Sequence, residues 1–183
     1  MKLMCVLVDG FEDIETIGTI ALLRRAGLEV DIYGLNKNSA KGRFGTYLSD
    51  LHSLEEIKTK HFKGYHGLLI TGGPQYIILS SDQNFLDIVE SFHKQRRYIC
   101  AICAAPTILG KLKLLKNMQY TCFPTMNDDK FGGYYLKKDV VLDGKLITSK
   151  SSATVYDFAF KIVETLLGKK RLAKLKEEIF WSK

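Results

Sequence analysis

The segment Tyr98-Ile-Cys-Ala-Ile-Cys-Ala-Ala-Pro106 decides the fold of this chain. Residues 98–102 have the length and apolar character of a buried strand. The small residues after Cys103 fit a sharp turn, and Pro106 suits the first turn of a helix, where its missing N–H costs nothing. A strand that passes through a tight turn into a helix is the repeating unit of parallel α/β proteins. The segment therefore predicts an α/β fold.

The rest of the chain repeats this alternation of short apolar runs and amphipathic helices. We predict strands at residues 3–8, 29–35, 67–71, 98–102 and 119–123, and a hairpin of 139–142 and 145–148 about Asp143-Gly144. We predict helices at 14–26, from Ser81 or Asp82 to about 92, from Pro106, at 155–167 and in the basic terminal segment. Residues 37–60 suggest a short hairpin around Tyr47 and a helical turn near Leu54. The pattern indicates a mostly parallel sheet with helices on both faces.

Length and composition indicate one domain, residues 1–183, in an ordinary globular protein with 46% apolar and 26% charged residues. The N-terminal apolar run is too short for a signal peptide, and no run approaches the ~18 apolar residues of a membrane span. We therefore expect a cytoplasmic protein without a membrane segment.

The net charge of +7 raises the question of nucleic-acid binding. The excess Lys and Arg residues are concentrated at 111–116 and 169–176, where Leu residues are interleaved at helical spacing. That pattern is typical of a solvated helix face, and no aromatic-studded basic groove accompanies it. Nucleic acid is therefore not an expected partner.

The four cysteines are Cys5, Cys100, Cys103 and Cys122. Reduced thiols fit such a chain better than a disulfide framework. Cys100 and Cys103 form a C-x-x-C, but no second Cys/His pair is available for zinc and no His follows His93. On a strand, the two backbones lie up to ~10 Å apart, beyond disulfide reach. We expect no metal, and a redox pair is the weaker interpretation.

The three prolines, Pro74, Pro106 and Pro124, each follow a predicted strand. Ligands of open α/β sheets bind at the carboxyl ends of the strands. The first strand brings acidic residues to that edge, and the third ends in Gly-Gly-Pro. We therefore expect one site at this edge, containing Glu12, Asp13, Glu15, Gly72, Gly73, Cys103, Ala104 and Pro124.

Cys103 is the candidate nucleophile of this edge. A strand-to-helix turn places its sulfur near a helix N-terminus, which favours the thiolate. The N–H groups of Ala104 and of the Gly72-Gly73 loop are then candidate donors to an oxyanion. The alternative is a buried structural cysteine at a strand end.

Glu15 is the candidate partner for proton transfer. The histidines all lie upstream of Cys103, and none is at a predicted strand end facing this edge. A poorly solvated carboxyl group has a raised pKa and can donate a proton to sulfur or to a substrate. The alternative, which the pattern supports equally, is that Glu12, Asp13 and Glu15 only complement the helix dipole.

Several motifs together resemble the ThiJ/PfpI superfamily and, within it, the branch of the bacterial protein YajL and the Parkinson's-linked protein DJ-one. They span nearly the whole chain and comprise Glu12-Asp-Ile-Glu15, Leu23-Arg-Arg-Ala-Gly27, Thr71-Gly-Gly73, Ala101-Ile-Cys-Ala-Ala-Pro-Thr107, Phe123-Pro-Thr125, and Asp143-Gly with Leu146-Ile-Thr-Ser149.

The resemblance implies a flavodoxin-like three-layer sandwich that forms a homodimer, partly through the first helix with Arg24 and Arg25, and uses no metal or organic cofactor. It implies a reactive thiol at Cys103, a protonated Glu15 bonded to it, and oxyanion contacts from the backbone of Gly73 and Ala104. The activities it implies are a glutathione-independent glyoxalase, a disputed deglycase, a redox-regulated chaperone and an oxidative-stress sensor.

The chain departs from the family pattern at four places. Ala104 replaces the His that follows the nucleophile in the protease-like branch, so peptidase activity is not expected. Phe123 stands where some members have His. Ser151-Ser-Ala-Thr154 replaces Gly-Pro-Gly-Thr, and Pro74 follows the double glycine. The last two departures are expected to alter substrate access, dimer contacts or the oxyanion loop.

These observations predict a cysteine-dependent enzyme of glyoxalase or deglycase type that acts on small 2-oxoaldehydes such as methylglyoxal. Cys103 is the expected nucleophile and Glu15 the proton shuttle, with Glu12, Asp13, Gly72, Phe123 and Pro124 lining the pocket. The alternative is a non-catalytic oxidative-stress sensor or redox-regulated chaperone that works through oxidation of Cys103.

Overall fold

A seven-stranded sheet forms the centre of the molecule in the computed structural model, which describes residues 1–57 and 59–182. In spatial order its strands are β10 (Val140–Asp143), β11 (Leu146–Ser149), β7 (Tyr98–Ile102), β6 (Gly67–Ile70), β1 (Lys2–Leu7), β2 (Glu29–Gly34) and β5 (His52–Ser53). Neighbouring strands pair in parallel, except that β10 and β11 form an antiparallel hairpin. The predicted mostly parallel sheet is confirmed.

Helices cover both faces of this sheet. They are α1 (Thr19–Arg25), α2 (Gln75–Leu79), α3 (Gln83–Lys94), α4 (Pro106–Lys111), α5 (Val155–Leu167) and α6 (Lys169–Glu178). Side chains of β1 alternate between two cores: Leu3 and Leu7 pack with residues of α1, α5 and α6, whereas Met4 and Val6 pack with residues of α3 and α4. This alternation produces the three-layer, flavodoxin-like sandwich.

The predicted helix ends and hairpin are found with small changes. Asp82 begins α3, and its side chain accepts a hydrogen bond from the Phe85 N–H at 2.8 Å. The first helix opens with a π-helical turn, Ile14–Gly18, before α1. Gly168 separates α5 from α6 as expected.

The prediction of a strand at 119–123 is wrong in extent, and the strand that does form lies outside the main sheet. Only β8 (Gln119–Tyr120) is extended, and it pairs with β9 (Tyr134–Tyr135) outside the main sheet. The Thr121 N–H bonds the side chain of Thr148 at 2.9 Å instead of a neighbouring backbone. Apolar character at 119–123 therefore reflects burial beside the sheet and not membership of it.

The segment after β2 contains more structure than predicted. The hairpin around Tyr47 is present as β3 (Ala40–Lys41) and β4 (Tyr47–Leu48), and a turn closes at Leu54, whose carbonyl accepts the Ile57 N–H. The elements that were not predicted include β5 at the sheet edge, the short helix α2 and β9. Lys58 and Lys183, which fall within the predicted segments, lie outside the described residues.

The strands β1, β6, β7 and β11 end at the same edge of the sheet because they are parallel. The connections that leave this edge are the π-helical turn, the Gly72-Gly73 loop, the turn at Cys103 and the 3₁₀ turn Ser152–Thr154. Among the helices of the described residues, none is long and apolar enough to cross a membrane.

Candidate active site

Cys103 occupies a strained turn immediately after β7. Its φ of 65° lies in the left-handed region, which costs about 1–2 kcal/mol for a residue with a Cβ. Two hydrogen bonds hold the residue there: its N–H donates to the carbonyl of Ser149 at 2.9 Å, and its carbonyl accepts the Phe123 N–H at 2.8 Å. The end of β11 and the segment after β8 therefore fix the direction of the thiol.

The Gly72-Gly73 loop lies directly against this turn. A Cβ at Gly72 would stand 2.7 Å from the Cβ and 3.2 Å from the sulfur of Cys103, and would overlap the Glu15 carboxyl. At Gly73, where φ is 89°, a Cβ would stand 2.8 Å from the carbonyl carbon of Phe11. Only glycine therefore allows the loop to approach the thiol this closely.

Two backbone N–H groups face the sulfur. The N–H of Ala104 and the N–H of Gly73 both donate to the Cys103 thiol group. One comes from the turn itself and the other from the loop after β6. A negative charge that develops beside the sulfur would meet both donors.

Glu15 lies within the π-helical turn and is 1% exposed. Its carboxyl group accepts the Gly72 N–H at 3.0 Å, and it also accepts hydrogen bonds from the Ser152 N–H and the Cys103 thiol. Burial is the main cause that raises its pKa from 4.5 to about 7, against the effect of the thiol hydrogen bond. A carboxyl group with this pKa gains and loses a proton at neutral pH.

Glu12 contributes to this environment without touching the thiol. Its carboxylate accepts the Glu15 N–H at 2.7 Å, and its own N–H donates to the Gly72 carbonyl at 3.0 Å. The negative charge of Glu12 further raises the pKa of Glu15. Glu12 therefore caps the start of the helix, as the dipole interpretation suggests, and also raises the pKa of Glu15.

The helix N-terminus is expected to favour the Cys103 thiolate, and the Ala104 N–H at that terminus does lower the pKa of the thiol, but larger effects raise this pKa. Burial raises the pKa of the thiol above its ordinary value, and the Glu15 carboxylate raises it further. The N–H groups of Ala104 and Gly73 oppose both effects but are weaker. The helix α4 has six residues, so its dipole contribution is small. Cys103 and Glu15 together therefore retain a proton at neutral pH.

Asp13, Phe123 and Pro124 are the other predicted site residues, and none of them bonds the thiol group itself. Asp13 turns toward the β3–β4 hairpin, where its carboxylate accepts the N–H groups of Phe44 at 2.9 Å and Thr46 at 3.1 Å. Phe123 and Pro124 are exposed, and Phe123 reaches Cys103 through its backbone. Pro74 begins α2 just after the loop.

No histidine in the described part of the chain contacts the site. The ring of His52 packs against Tyr33, and Nδ1 of His66 accepts the Lys2 N–H at 3.1 Å. His93 lies in the last turn of α3. The side chain of His61 is outside the described residues.

Buried residues behind the loop form a support that the sequence did not reveal. The Gln75 amide donates to the Thr71 carbonyl at 2.9 Å and the Gly72 carbonyl at 3.2 Å, while its oxygen accepts the Val8 N–H at 3.2 Å. The hydroxyls of Thr71 and Thr16 bond at 2.7 Å. A polar residue directly after Gly-Gly-Pro was the one available signal. The bond from Ser152 to Glu15 has no local sequence signal except the departure from the family pattern at 151–153.

The titratable residues of the site do not form a metal centre. Within residues 1–57 and 59–182, no group of three or more His, Cys, Asp or Glu side chains is arranged to hold a metal ion. The four cysteines are all free thiols, so Cys100 and Cys103 form no disulfide.

Comparison with known proteins shows which proteins this chain is similar to. The model of the DJ-1/PfpI family matches residues 1–165. Protein dj-1beta of Drosophila melanogaster is 33% identical over 94% of this chain and 92% of its own length. Glutathione-independent glyoxalase DJR-1.2 of Caenorhabditis elegans is 34% identical over 90% of this chain and 87% of its own length. The crystal structure of Drosophila DJ-1beta superposes with a TM-score of 0.90 at 30% identity, covering 100% of this chain and 98% of the other.

Proposed function

This chain belongs to the DJ-1/PfpI family, and on that premise we propose that it is a cofactor-independent enzyme acting on small 2-oxoaldehydes. The proposed reaction is the conversion of methylglyoxal to lactate, with Cys103 as nucleophile and Glu15 as proton shuttle. The name of the Caenorhabditis elegans relative describes a glyoxalase that needs no glutathione, which is consistent with a protein thiol in that role.

The hydrogen bond between Glu15 and Cys103 is the observation that carries the proposal. A nucleophilic thiol needs a base, and the Glu15 carboxyl accepts the thiol proton in a site from which water is largely excluded. Its pKa of about 7 suits a group that must accept and return a proton in each cycle. A carboxylate that only complemented a helix dipole would not need to be 1% exposed.

In the proposed first step the sulfur bonds to the aldehyde carbon while Glu15 takes the thiol proton. The carbonyl oxygen becomes an oxyanion beside the N–H groups of Gly73 and Ala104, which face the sulfur. Glu15 returns the proton to that oxygen and gives a hemithioacetal.

In the second stage Glu15 removes the hydrogen of the former aldehyde carbon as a proton and delivers it to the neighbouring ketone carbon. The electron pair moves through an enediol, in which the hydroxyl proton of the hemithioacetal passes to the former ketone oxygen. The first carbon thereby becomes a thioester and the second an alcohol. Water then cleaves the thioester, releases lactate and restores the thiol. No external oxidant or reductant is needed because one carbon is oxidised while the other is reduced.

The test is lactate formation from methylglyoxal without glutathione, measured for wild type, Cys103→Ala and Glu15→Gln. We expect both variants to lose at least about a hundredfold in kcat/KM, the usual effect of removing a nucleophile or a general base. Cys5→Ala and Glu29→Gln are the matched controls, since they remove a buried thiol within β1 and an exposed carboxylate at the start of β2. Full turnover by Cys103→Ala would contradict the mechanism.

A second candidate function is oxidative sensing, alone or as a redox-regulated chaperone. Cys103 is half-buried whereas Cys5, Cys100 and Cys122 are buried, so peroxide reaches it preferentially. Peroxide would oxidise the thiol to sulfenic and then sulfinic acid, releasing one water at each step. Intact-mass measurement after mild peroxide treatment should show the added oxygen atoms in wild type and in Cys122→Ala. Their presence in Cys103→Ala as well would exclude this role.

A homodimer through the first helix is part of the proposal. Ile14, next to Glu15 in sequence, is 60% exposed, and Phe180 is 92% exposed. Both line a groove of about 580 Å³, together with Arg25 and the stacked rings of Tyr156 and Trp181. Exposed apolar side chains around one groove are typical of an interface between copies.

Sedimentation of wild type beside Ile14→Glu tests this interface. We expect a dimer that the added charge converts to a monomer, whereas Ile77→Glu, on the exposed side of α2, should leave the mass unchanged. A cytoplasmic location stays a prediction from the sequence.

A further inference from the structure

A second cavity lies at the opposite edge of the sheet from Cys103. Its volume is about 290 Å³, and it opens where the amino ends of β7 and β11 meet the end of α3 and the segment after α4. Ile99 and Cys103 belong to the same run of chain, about 13 Å apart along an extended strand. The cavity therefore does not share a wall with the thiol site.

The floor of this cavity is apolar. Ile99, Leu109 and Leu146 are buried side chains at its base, and Leu114 and Met118 lie partly exposed at its side. A cavity with such a floor accepts hydrocarbon with a favourable free energy, and its volume has room for about ten water-sized groups.

The rim of the cavity is basic. It carries His93, Arg96, Arg97 and Lys145, and no acidic residue is among the described residues that line it. Arg97 is already engaged, because its guanidinium donates to the Phe62 carbonyl and stands over the Phe92 ring. Lys145 lies 3.9 Å from the centroid of the Tyr98 ring.

Arg96 is the least engaged of these cations. It sits at the end of α3 with φ of 54°, and its N–H closes the helix by donating to the His93 carbonyl at 2.9 Å. Its guanidinium makes no ion pair or hydrogen bond with the residues that the structure describes. Basic residues near a helix C-terminus complement the dipole, which explains the residues at the end of α3. It does not explain Lys145, which comes from the turn between β10 and β11.

We propose that this cavity binds a small amphipathic anion, with a carboxylate or phosphate head at the Arg96 and Lys145 rim and an apolar body on the floor. The apolar floor selects against inorganic anions, and the cationic rim selects against neutral and cationic hydrocarbons of the same length. This site is independent of the chemistry proposed for Cys103.

Binding of octanoate, which has ten non-hydrogen atoms, tests the proposal. Methyl NMR spectra of the full chain should show saturable shifts at Ile99, Leu109 and Leu146, with octyl phosphate acting in the same way. Octylamine and inorganic phosphate are the matched probes, and neither should saturate these methyls at concentrations up to about 10 mM. Equal shifts with octylamine, or the full effect with phosphate alone, would overturn the assignment.

Two double variants that each remove two positive charges distinguish an effect of the rim residues from an effect of net charge. Arg96→Asn with Lys145→Gln should weaken octanoate binding about tenfold or more, because two cations that face the head group are removed. Asn tolerates the left-handed backbone at position 96. Lys170→Gln with Lys174→Gln removes two exposed cations on α6, away from the cavity, and should leave the affinity within about twofold. Equal weakening by both pairs would overturn the proposal. Cys103→Ala should bind octanoate as wild type does, whatever its activity.

Discussion

The carboxyl group of Glu15 and the thiol of Cys103 are joined by a hydrogen bond that links the π-helical turn to the turn after β7. Burial raises the pKa of both groups. The hydrogen bond between them lowers the pKa of Glu15 and raises that of Cys103. The pair therefore titrates as a unit, and substitutions at one residue should be visible in the behaviour of the other.

The stability of the fold should depend on pH through Glu15. Its folded pKa of about 7 exceeds the ordinary 4.5, so its contribution to stability is complete below pH 4.5 and is lost as the pH rises through 7. Urea unfolding of wild type relative to Glu15→Gln should therefore show a loss of about 3 kcal/mol between these limits. Glu29→Gln, at an exposed position, should follow wild type at every pH. A difference between wild type and Glu15→Gln that is constant with pH would contradict the buried carboxyl.

The reactivity of Cys103 should increase when the charge of Glu15 is removed. The carboxylate raises the pKa of the thiol, so Glu15→Gln should lower that pKa and increase the thiolate fraction. We expect iodoacetamide to alkylate Glu15→Gln about two- to tenfold faster than wild type at neutral pH. The variant should combine faster alkylation with lost turnover. Slower alkylation would mean that Glu15 acts as a protonated donor to a thiolate, as the family resemblance implies.

A methyl group at Gly72 should disrupt the pair directly. The added Cβ would stand 2.7 Å from the Cβ of Cys103, a distance that requires one of the two backbones to move. We expect Gly72→Ala to lower the free energy of unfolding by about 1–3 kcal/mol and to abolish methylglyoxal turnover. Gly64→Ala adds the same methyl where nothing lies within 4 Å and should change neither quantity. Wild-type activity in Gly72→Ala would show that the loop is not held against the thiol.

The strain at Cys103 should be measurable as stability. Glycine adopts a φ of 65° without penalty, so Cys103→Gly should be more stable than Cys103→Ala by up to about 1 kcal/mol after the entropy of the unfolded glycine is counted. Chemical denaturation of the two variants measures the difference. Ala105→Gly, at an ordinary φ of −59°, should be less stable than wild type. A Cys103→Gly protein that loses as much stability as Ala105→Gly would indicate an unstrained turn.

Most of the sheet could be predicted because each central strand is an uninterrupted apolar run followed by a turn. The run at 119–123 has the same composition, yet the segment lies beside the sheet, since apolar character reports burial and not pairing. Helix α2 was missed because its five residues are too few to show a helical period. Local pattern could place Glu15, Gly73 and Cys103 at one edge, but not distinguish the inward direction of Glu15 from the outward direction of Asp13.

The contacts that complete the site come from distant parts of the chain. Ser152 and Glu15 share no local pattern, and the bond between them follows from the way the hairpin β10–β11 returns to the sheet. The raised pKa of Cys103 depends on burial and on Glu15, and the turn sequence alone reveals neither effect.

The Cys103 N–H donates to the Ser149 carbonyl and the Ser152 N–H donates to Glu15, so the site depends on residues that are synthesised well after the thiol. While the chain is being synthesised, Cys103 leaves the ribosome before the residues that orient it exist. Until the segment after β11 has emerged and docked, the thiol is that of an unfolded peptide, with an ordinary pKa and free access to oxidants and electrophiles. The chemical environment of Cys103 can thus form only after residues 149–152 have been synthesised.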